Sequence, residues 1–247
     1  MKATALEFRL RFLIHVVIFV LGLTTPWDYA LHLDTIRTWQ WLAANISRTI
    51  VLSFSAATLT ILVLGILLAL VAALLRTWAS ACLGASIVQD SAMHAGHVVA
   101  AGPYRYLRNP LYLGTFLHTL ALSLLMPPSG AVFTIVLIGI FQIRLILAEE
   151  SFLTASLGAP YLAYLAQVPR LFPALRPRVV ASTIQPRWLP AFLTEIYFWG
   201  VFLAFAIAGW RYNAQLILQG VLVSFGLSLI ARAFKTSEPQ PGTASNS

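Results

Sequence analysis

Long apolar runs separated by short polar connections dominate the chain. The runs fall at about residues 9–25, 49–75, 111–126, 131–147, 191–210 and 214–234. Several approach the ~20 residues that an α-helix needs to cross a bilayer. The third and fourth are shorter, and Pro127-Pro128-Ser129-Gly130 between them dictates a tight turn. Sixteen or so residues reach only ~24 Å at 1.5 Å per residue, so this pair reads as a short helical hairpin that need not cross the hydrocarbon. The pattern predicts an all-α, polytopic helical membrane protein with about six spans, the hairpin included. The first run follows Lys2, Arg9 and Arg11, as in a signal peptide, but no small-x-small cleavage site follows it. It reads as the first transmembrane helix.

The polar connections divide the chain. Residues 1–48 hold the first transmembrane helix and an external loop. Residues 49–190 form a membrane core with two polar connections, 76–110 and 148–190. Residues 191–235 add two C-terminal spans, and 236–247, rich in Pro, Gly, Ser and Thr, reads as a disordered tail. No internal repeat is visible. Composition agrees with the pattern, at 59% hydrophobic and 10% charged residues. The net charge of +8 therefore points away from nucleic acid and toward cytoplasmic loops, where Lys and Arg concentrate. With the N-terminus inside and the hairpin starting and ending on the inner side, only Arg37, Arg48 and Arg211 of the 16 basic residues lie outside. Both termini and both polar connections are then cytoplasmic. Cys82 is the only cysteine, and five histidines are scattered without an HExxH pair, so no metal site is predicted.

Two polar clusters border the hairpin. The first is Gly102-Pro-Tyr-Arg-Tyr-Leu-Arg-Asn-Pro-Leu-Tyr-Leu-Gly114. Gly102-Pro103 marks a turn, Asn109 is a good N-cap, and Pro110 suits the first helical turn. A helix starting there directs free backbone N–H groups outward and favours an anion. Arg105 and Arg108 add positive charge, or simply anchor the helix at lipid headgroups. The second cluster, Glu149-Glu150, is expected to close the fourth span. Acidic groups at a helix C-terminus oppose the macrodipole, so they call for a cation such as Arg144 or a ligand, or for full solvation. Beyond them, Gly158 is expected to break the helix. Tyr161, Tyr164 and Leu165 then share one face of an interfacial helix, which Pro169, Pro173 and Pro177 end.

These residues carry a resemblance. The 102–114 segment, a short apolar hairpin, and then Glu-Glu-x-x-Leu-x-x-x-Leu-Gly-x-x-Tyr-x-x-Tyr-x-x-x-Val-Pro-Arg-x-x-Pro together resemble the isoprenylcysteine carboxyl methyltransferase family. The phospholipid N-methyltransferases share much of this signature. The resemblance covers about residues 70–175 and leaves out the last two spans. It implies an integral-membrane methyltransferase that uses S-adenosylmethionine, bound at the cytosolic boundary, and a lipophilic or lipid acceptor. Carried over by position, it implies cofactor contacts at Gln89, Gly96, His97, Val98, Val99, Tyr104, Asn109, Pro110, Leu111, Tyr112 and Glu149. Arg144 lies near a position that the family uses toward its substrate, and Arg144 and Glu150 are the candidate catalytic residues. Asn109 replaces the histidine of better-known members; it hydrogen-bonds but does not titrate.

The physical chemistry is compatible. The cofactor carries a sulfonium, an ammonium and a carboxylate. Glu149 and tyrosine faces can balance the cations, while Arg108 and the helix N-terminus can receive the carboxylate. A carboxylate acceptor needs no base, whereas an amine must lose a proton. The absence of an obvious dedicated base leans toward a carboxylate. The alternatives are a phospholipid or other amine N-methyltransferase, and a transporter or scaffold for which Glu195 is the best intramembrane residue. The oligomeric state is left open.

Overall fold

Thr4 opens the first helix, α1 (Ala5–Arg9), through a capping box: its hydroxyl accepts from the Glu7 amide, and Glu7 accepts from the Thr4 amide at 2.6 Å. The computed structural model describes residues 2–24, 36–49, 52–83 and 100–235, all its regular elements being helical. The expected tail at 236–247 lies outside the described residues, as do Gln89, Gly96, His97, Val98 and Val99. After α1 come α2 (Arg11–Thr24), α3 (Thr38–Thr49), α4 (Phe54–Leu83), α5 (Pro110–Ser123) and α6 (Pro128–Leu157). The chain continues with α7 (Ala159–Gln167), α8 (Trp188–Thr194), α9 (Ile196–Leu203) and α10 (Ala214–Lys235).

Among the described residues three helices, α4, α6 and α10, are long and apolar enough to cross a membrane, or four if the pair of α8 and the helix from Ile196 to Arg211, bent by 66°, is counted as one span. Six spans do not emerge among these residues. The first and third apolar runs form only 14-residue helices, α2 and α5. The fourth run was expected to end near residue 147, but α6 continues to Leu157 for 30 residues. Glu149 and Glu150 therefore lie inside a helix, two turns before its end. Likewise Arg76 is not in a loop, because α4 continues to Leu83. In both places a charged residue reads as a boundary, whereas an oppositely charged partner lets the helix run through it. Gly158 ends α6 as expected, at φ 61°, a left-handed conformation that suits glycine.

The hairpin turn lies three residues earlier than the Pro-Pro-Ser-Gly sequence suggested. It occupies Leu124–Pro127, and α6 starts directly at Pro128, where a missing N–H is harmless. Its tip holds α3, an amphipathic helix that the apolar-run pattern did not reveal. The Thr38 amide donates to the Met126 carbonyl at 2.8 Å, and the Trp39 amide to the Leu124 carbonyl at 3.1 Å.

The core ties the C-terminal helices to the rest. Ala69 of α4 and Ala121 and Leu122 of α5 pack with Val201, Phe205, Ile217 and Val221. Across the same contact runs a buried ion pair. Glu195, 1% exposed, sits at the 66° bend between α8 and α9. It receives Arg76 Nε at 2.6 Å and Nη2 at 3.1 Å, and the Ser80 hydroxyl at 2.5 Å. Arg76 also donates to Thr115 and the Leu111 carbonyl and lies 4.2 Å over the Phe198 ring. Gly114 leaves room for it, since a Cβ there would meet Arg76 Cγ at 2.5 Å. Glu195 is thus a structural ion-pair partner, and not a free intramembrane carboxylate of the kind a transport pathway would use.

Removing one partner strands the other charge in a low-dielectric interior. Arg76→Met or Glu195→Ala alone is expected to lower stability by about 3–5 kcal/mol. The double variant is expected to lose less than the two singles added. Unfolding in detergent, analysed as a double-mutant cycle, checks this.

Candidate active site

The two polar clusters meet. Segment 100–109 crosses the end of α4 through a short turn, Gly102–Arg105, in which Gly102 takes φ 51° and Pro103 and Tyr104 are buried. Tyr104 packs on Ala79, Cys82 and Ala101. A strap from Pro169 to Arg187 then runs back along this segment. The Arg108 amide donates to the Pro169 carbonyl, and the amides of Ala174, Arg178 and Ser182 donate to the carbonyls of Tyr106, Arg105 and Ala100, all at 2.9 Å. Beneath the strap, α7 turns Tyr161 and Tyr164 inward, and the Tyr164 hydroxyl donates to the Tyr104 carbonyl at 2.8 Å. The shared tyrosine face was legible in the sequence. Its partner is protein, however, where headgroups were expected. Burial pushes the Tyr104 phenol well above its ordinary range, and the Glu149 charge adds to this, so it stays a neutral donor.

Glu150 is the centre of the junction. It is buried and takes Arg170 Nη2 at 2.8 Å and Nε at 3.1 Å, Arg108 Nε at 3.4 Å, and the Asn109 side-chain amide at 3.2 Å. Asn109 also donates to the Arg170 carbonyl at 3.2 Å. It does flank α5, with Pro110 in the first turn, but its side chain makes no capping bond. The expected N-cap is replaced by a tie between the two clusters. The compensation expected from Arg144 comes instead from Arg108 and Arg170. Arg170 stood in the Val-Pro-Arg signature but was not singled out. The scarcity of acidic residues, 8 in the whole chain, was the signal that could have found it.

Glu149, the next residue, points to another side of α6. It accepts from the Tyr112 hydroxyl at 2.9 Å. A carboxylate has about four acceptor sites, so most of its capacity is left over. Arg108 Nε is buried without a hydrogen bond despite its 3.4 Å contact with Glu150. Leu111 lies at the start of α5 and packs on the Tyr104 cluster. Arg144 is not brought to Glu150. Its Nη2 holds Glu7 at 2.8 and 2.9 Å, and its carbonyl receives the Ala3 amide, so the N-terminal segment lies along α6. Tyr112 touches this region through the cluster of Phe8, Phe141 and Leu145. The Glu7–Arg144 contact was not foreseen.

A cavity of about 400 Å³ opens on the side of α4, lined by Val71, Leu74, Leu75, Trp78 and Trp188. It is wide open, and Val71, Leu74, Trp78 and Trp188 are exposed along it. Its walls are apolar, and Trp78, with its ring 6.2 Å from that of Tyr106, joins it to the 100–109 segment.

Residues 60–159 match the model of the phospholipid methyltransferase family. The chain is a membrane methyltransferase. Its methyl donor is S-adenosylmethionine, and the match implies a lipid-like acceptor. The match includes segment 100–109, α5 and both glutamates, and it stops before the strap and the C-terminal helices. No curated protein and no solved structure was found to match the chain. The described residues fit the donor. A half-buried carboxylate with spare acceptor capacity, an arginine Nε without a hydrogen bond and an uncapped helix N-terminus are the complements of its ammonium, sulfonium and carboxylate.

Glu150→Ala removes the carboxylate that holds strap and segment together. We expect the bonds after Arg170 and Arg178 to become much more sensitive to limited trypsin digestion, while the helical far-UV signal is kept. Equal cleavage rates in the variant and the native protein would show that the backbone bonds alone hold the strap.

Proposed function

We propose that this methyltransferase acts on a lipophilic acceptor drawn from the membrane, and that the accepting group is a carboxylate, as in isoprenylcysteine carboxyl O-methylation. The observation that carries this reading is the division of labour between adjacent glutamates. Glu150 is already neutralised by Arg108 and Arg170, which leaves Glu149 as the available anion beside Tyr112. When bound, S-adenosylmethionine supplies a sulfonium methyl that is already electrophilic. In this reading Glu149 balances the donor's positive charge, with the faces of Tyr104 and Tyr112 adding cation–π attraction. Arg108 and the amide end of α5 at Pro110, Leu111 and Tyr112 receive its carboxylate. The resemblance adds Gln89, Gly96, His97, Val98 and Val99, which lie outside the described residues, as further cofactor contacts. Glu150 acts as a positioning residue by orienting Arg108 and Asn109. Arg144 serves the acceptor side, where an incoming carboxylate competes with Glu7. On the charge bias of the sequence we assign the site face to the cytoplasm.

The apolar cavity at Trp78 and Trp188 suits the acceptor's chain, since it reaches the 100–109 segment from the lipid side. A carboxylate acceptor is favoured because Glu149 is engaged by the donor in this reading, and no other free base stands among the described groups of the junction. Asn109 does not titrate, Glu150 is paired, and His118 is more than two turns along α5, within 3.2 Å of the Tyr197 hydroxyl. The second reading, N-methylation of a phospholipid amine, is favoured by the family match itself.

Two measurements test these statements. Glu149→Gln is expected to weaken S-adenosylmethionine binding tenfold or more, about 1.4 kcal/mol, by calorimetry; unchanged affinity would remove Glu149 from the pocket. Incubation of native membranes with methyl-labelled donor is expected to give a lipid product whose label is released as volatile methanol by mild base. Label that resists base but stays in a phospholipid headgroup would establish the amine reading.

A further inference from the structure

Between Glu150 and Glu195 the chain has no acidic residue, yet it holds Arg170, Arg176, Arg178 and Arg187. Arg170 is taken up by Glu150. Arg176, Arg178 and Arg187 are exposed, and among the described residues no carboxylate lies within ion-pair distance of them. The strap that carries them is fixed: the amides of Ala174, Arg178, Ser182 and Arg187 are all bonded, the last to the Ala81 carbonyl at 2.9 Å, and Arg105 Nε donates to the Val179 carbonyl at 3.0 Å. Two of its apolar side chains turn inward, Val179 onto the Tyr161–Tyr164 cluster and Ile184 onto the Tyr104 cluster. Three others are held outward, with Phe172 87%, Leu175 100% and Val180 87% exposed. Pinned apolar side chains alternating with unpaired guanidinium groups are not what an aqueous surface selects. They are what a headgroup layer accommodates, apolar tips entering the acyl boundary and arginines meeting phosphates. The strap is also at the right height. It crosses the end of the long span α4, and Trp188, the residue after Arg187, begins the next apolar helix.

We propose that residues 171–187 form a docking surface for the anionic lipid headgroups of the protein's own membrane. Phe172, Leu175 and Val180 insert at the headgroup–acyl boundary, and Arg176, Arg178 and Arg187 bind lipid phosphates. The inference is independent of the acceptor and of methyl transfer, because its test reads position and not activity. A nitroxide is attached at Leu175→Cys in the full chain; Cys82 is buried, and the native protein serves as the labelling blank. The protein is placed in nanodiscs of phosphatidylcholine, with or without phosphatidylglycerol, and collision with oxygen and with a water-soluble nickel relaxant is measured. The expected result is a several-fold excess of oxygen over nickel accessibility with phosphatidylglycerol present. It should fall toward the aqueous value when Arg176, Arg178 and Arg187 are all changed to Gln. A label equally open to nickel in both compositions would overturn the proposal. So would protection from both relaxants, which would mean that a protein surface covers the strap. A second label at Phe172→Cys repeats the test should the first variant be poorly folded.

Discussion

A carboxylate buried beside a membrane must be neutralised by something, and in this protein that requirement organises the site. Glu150 lies inside a 30-residue apolar helix and carries a charge that the surroundings cannot solvate. The cations that answer it come from two distant stretches, Arg108 from before the hairpin and Arg170 from after α7. Asn109 adds a neutral donor and joins the two stretches to each other. The helix cannot keep its charge unless strap and segment are in place. Their backbone pairing in turn is registered by the side chains that reach Glu150. Buried pairs of this kind specify an arrangement more than they stabilise it, because desolvation offsets much of the attraction.

The same logic recurs deeper in the fold with a different consequence. Arg76 and Glu195 meet where α4, α5 and the bent C-terminal span come together. A helix interrupted at Glu195 exposes backbone groups that an apolar layer does not satisfy. The bend is tolerable because the residue at the break is itself fully bonded. The C-terminal helices lie beyond the matched family segment, yet Phe205, Ile217 and Val221 share one core with Ala69 and Ala121. They also supply Trp188, one wall of the apolar cavity. What lies outside the family match therefore shares the core of the matched segment and lines the apolar cavity beside it.

How much of this was legible depended on whether a signal was local. The Asn109-Pro110 helix start, the break at Gly158 and the shared face of Tyr161 and Tyr164 follow from backbone rules and periodicity, and the structure has them. The ends of α4 and α6 were misread because Arg76 and Glu149-Glu150 looked like membrane boundaries. Hydropathy scores each residue alone and cannot see a partner more than a hundred positions away, as Arg76 and Glu195 are. Helix α3 was missed because its apolar face is narrow: Trp39 and Ala43 are buried while Trp41 is exposed. The meeting of the two polar clusters was legible from charge bias and the hairpin. Their geometry was not, since Asn109 and Arg144 each chose a partner that sequence rules do not rank.

Adjacent glutamates pose a question that their positions answer. Successive residues on a helix point about 100° apart, so Glu149 and Glu150 cannot share one environment. Two uncompensated like charges at that spacing would be unstable, and one of them has to be neutralised first. Glu150 is neutralised by the protein's own arginines. Among the described residues, Glu149 accepts a hydrogen bond from the Tyr112 hydroxyl, with the charge of Arg11 acting on it from a distance. The fold thus uses one carboxylate to tie strap and segment to α6 and leaves the other with unfilled acceptor capacity beside them. In the proposed function a cationic ligand complements that remainder without dismantling the contacts that hold strap and segment. The pairing of a spent and an available carboxylate is therefore a more specific signature of the site than either glutamate alone.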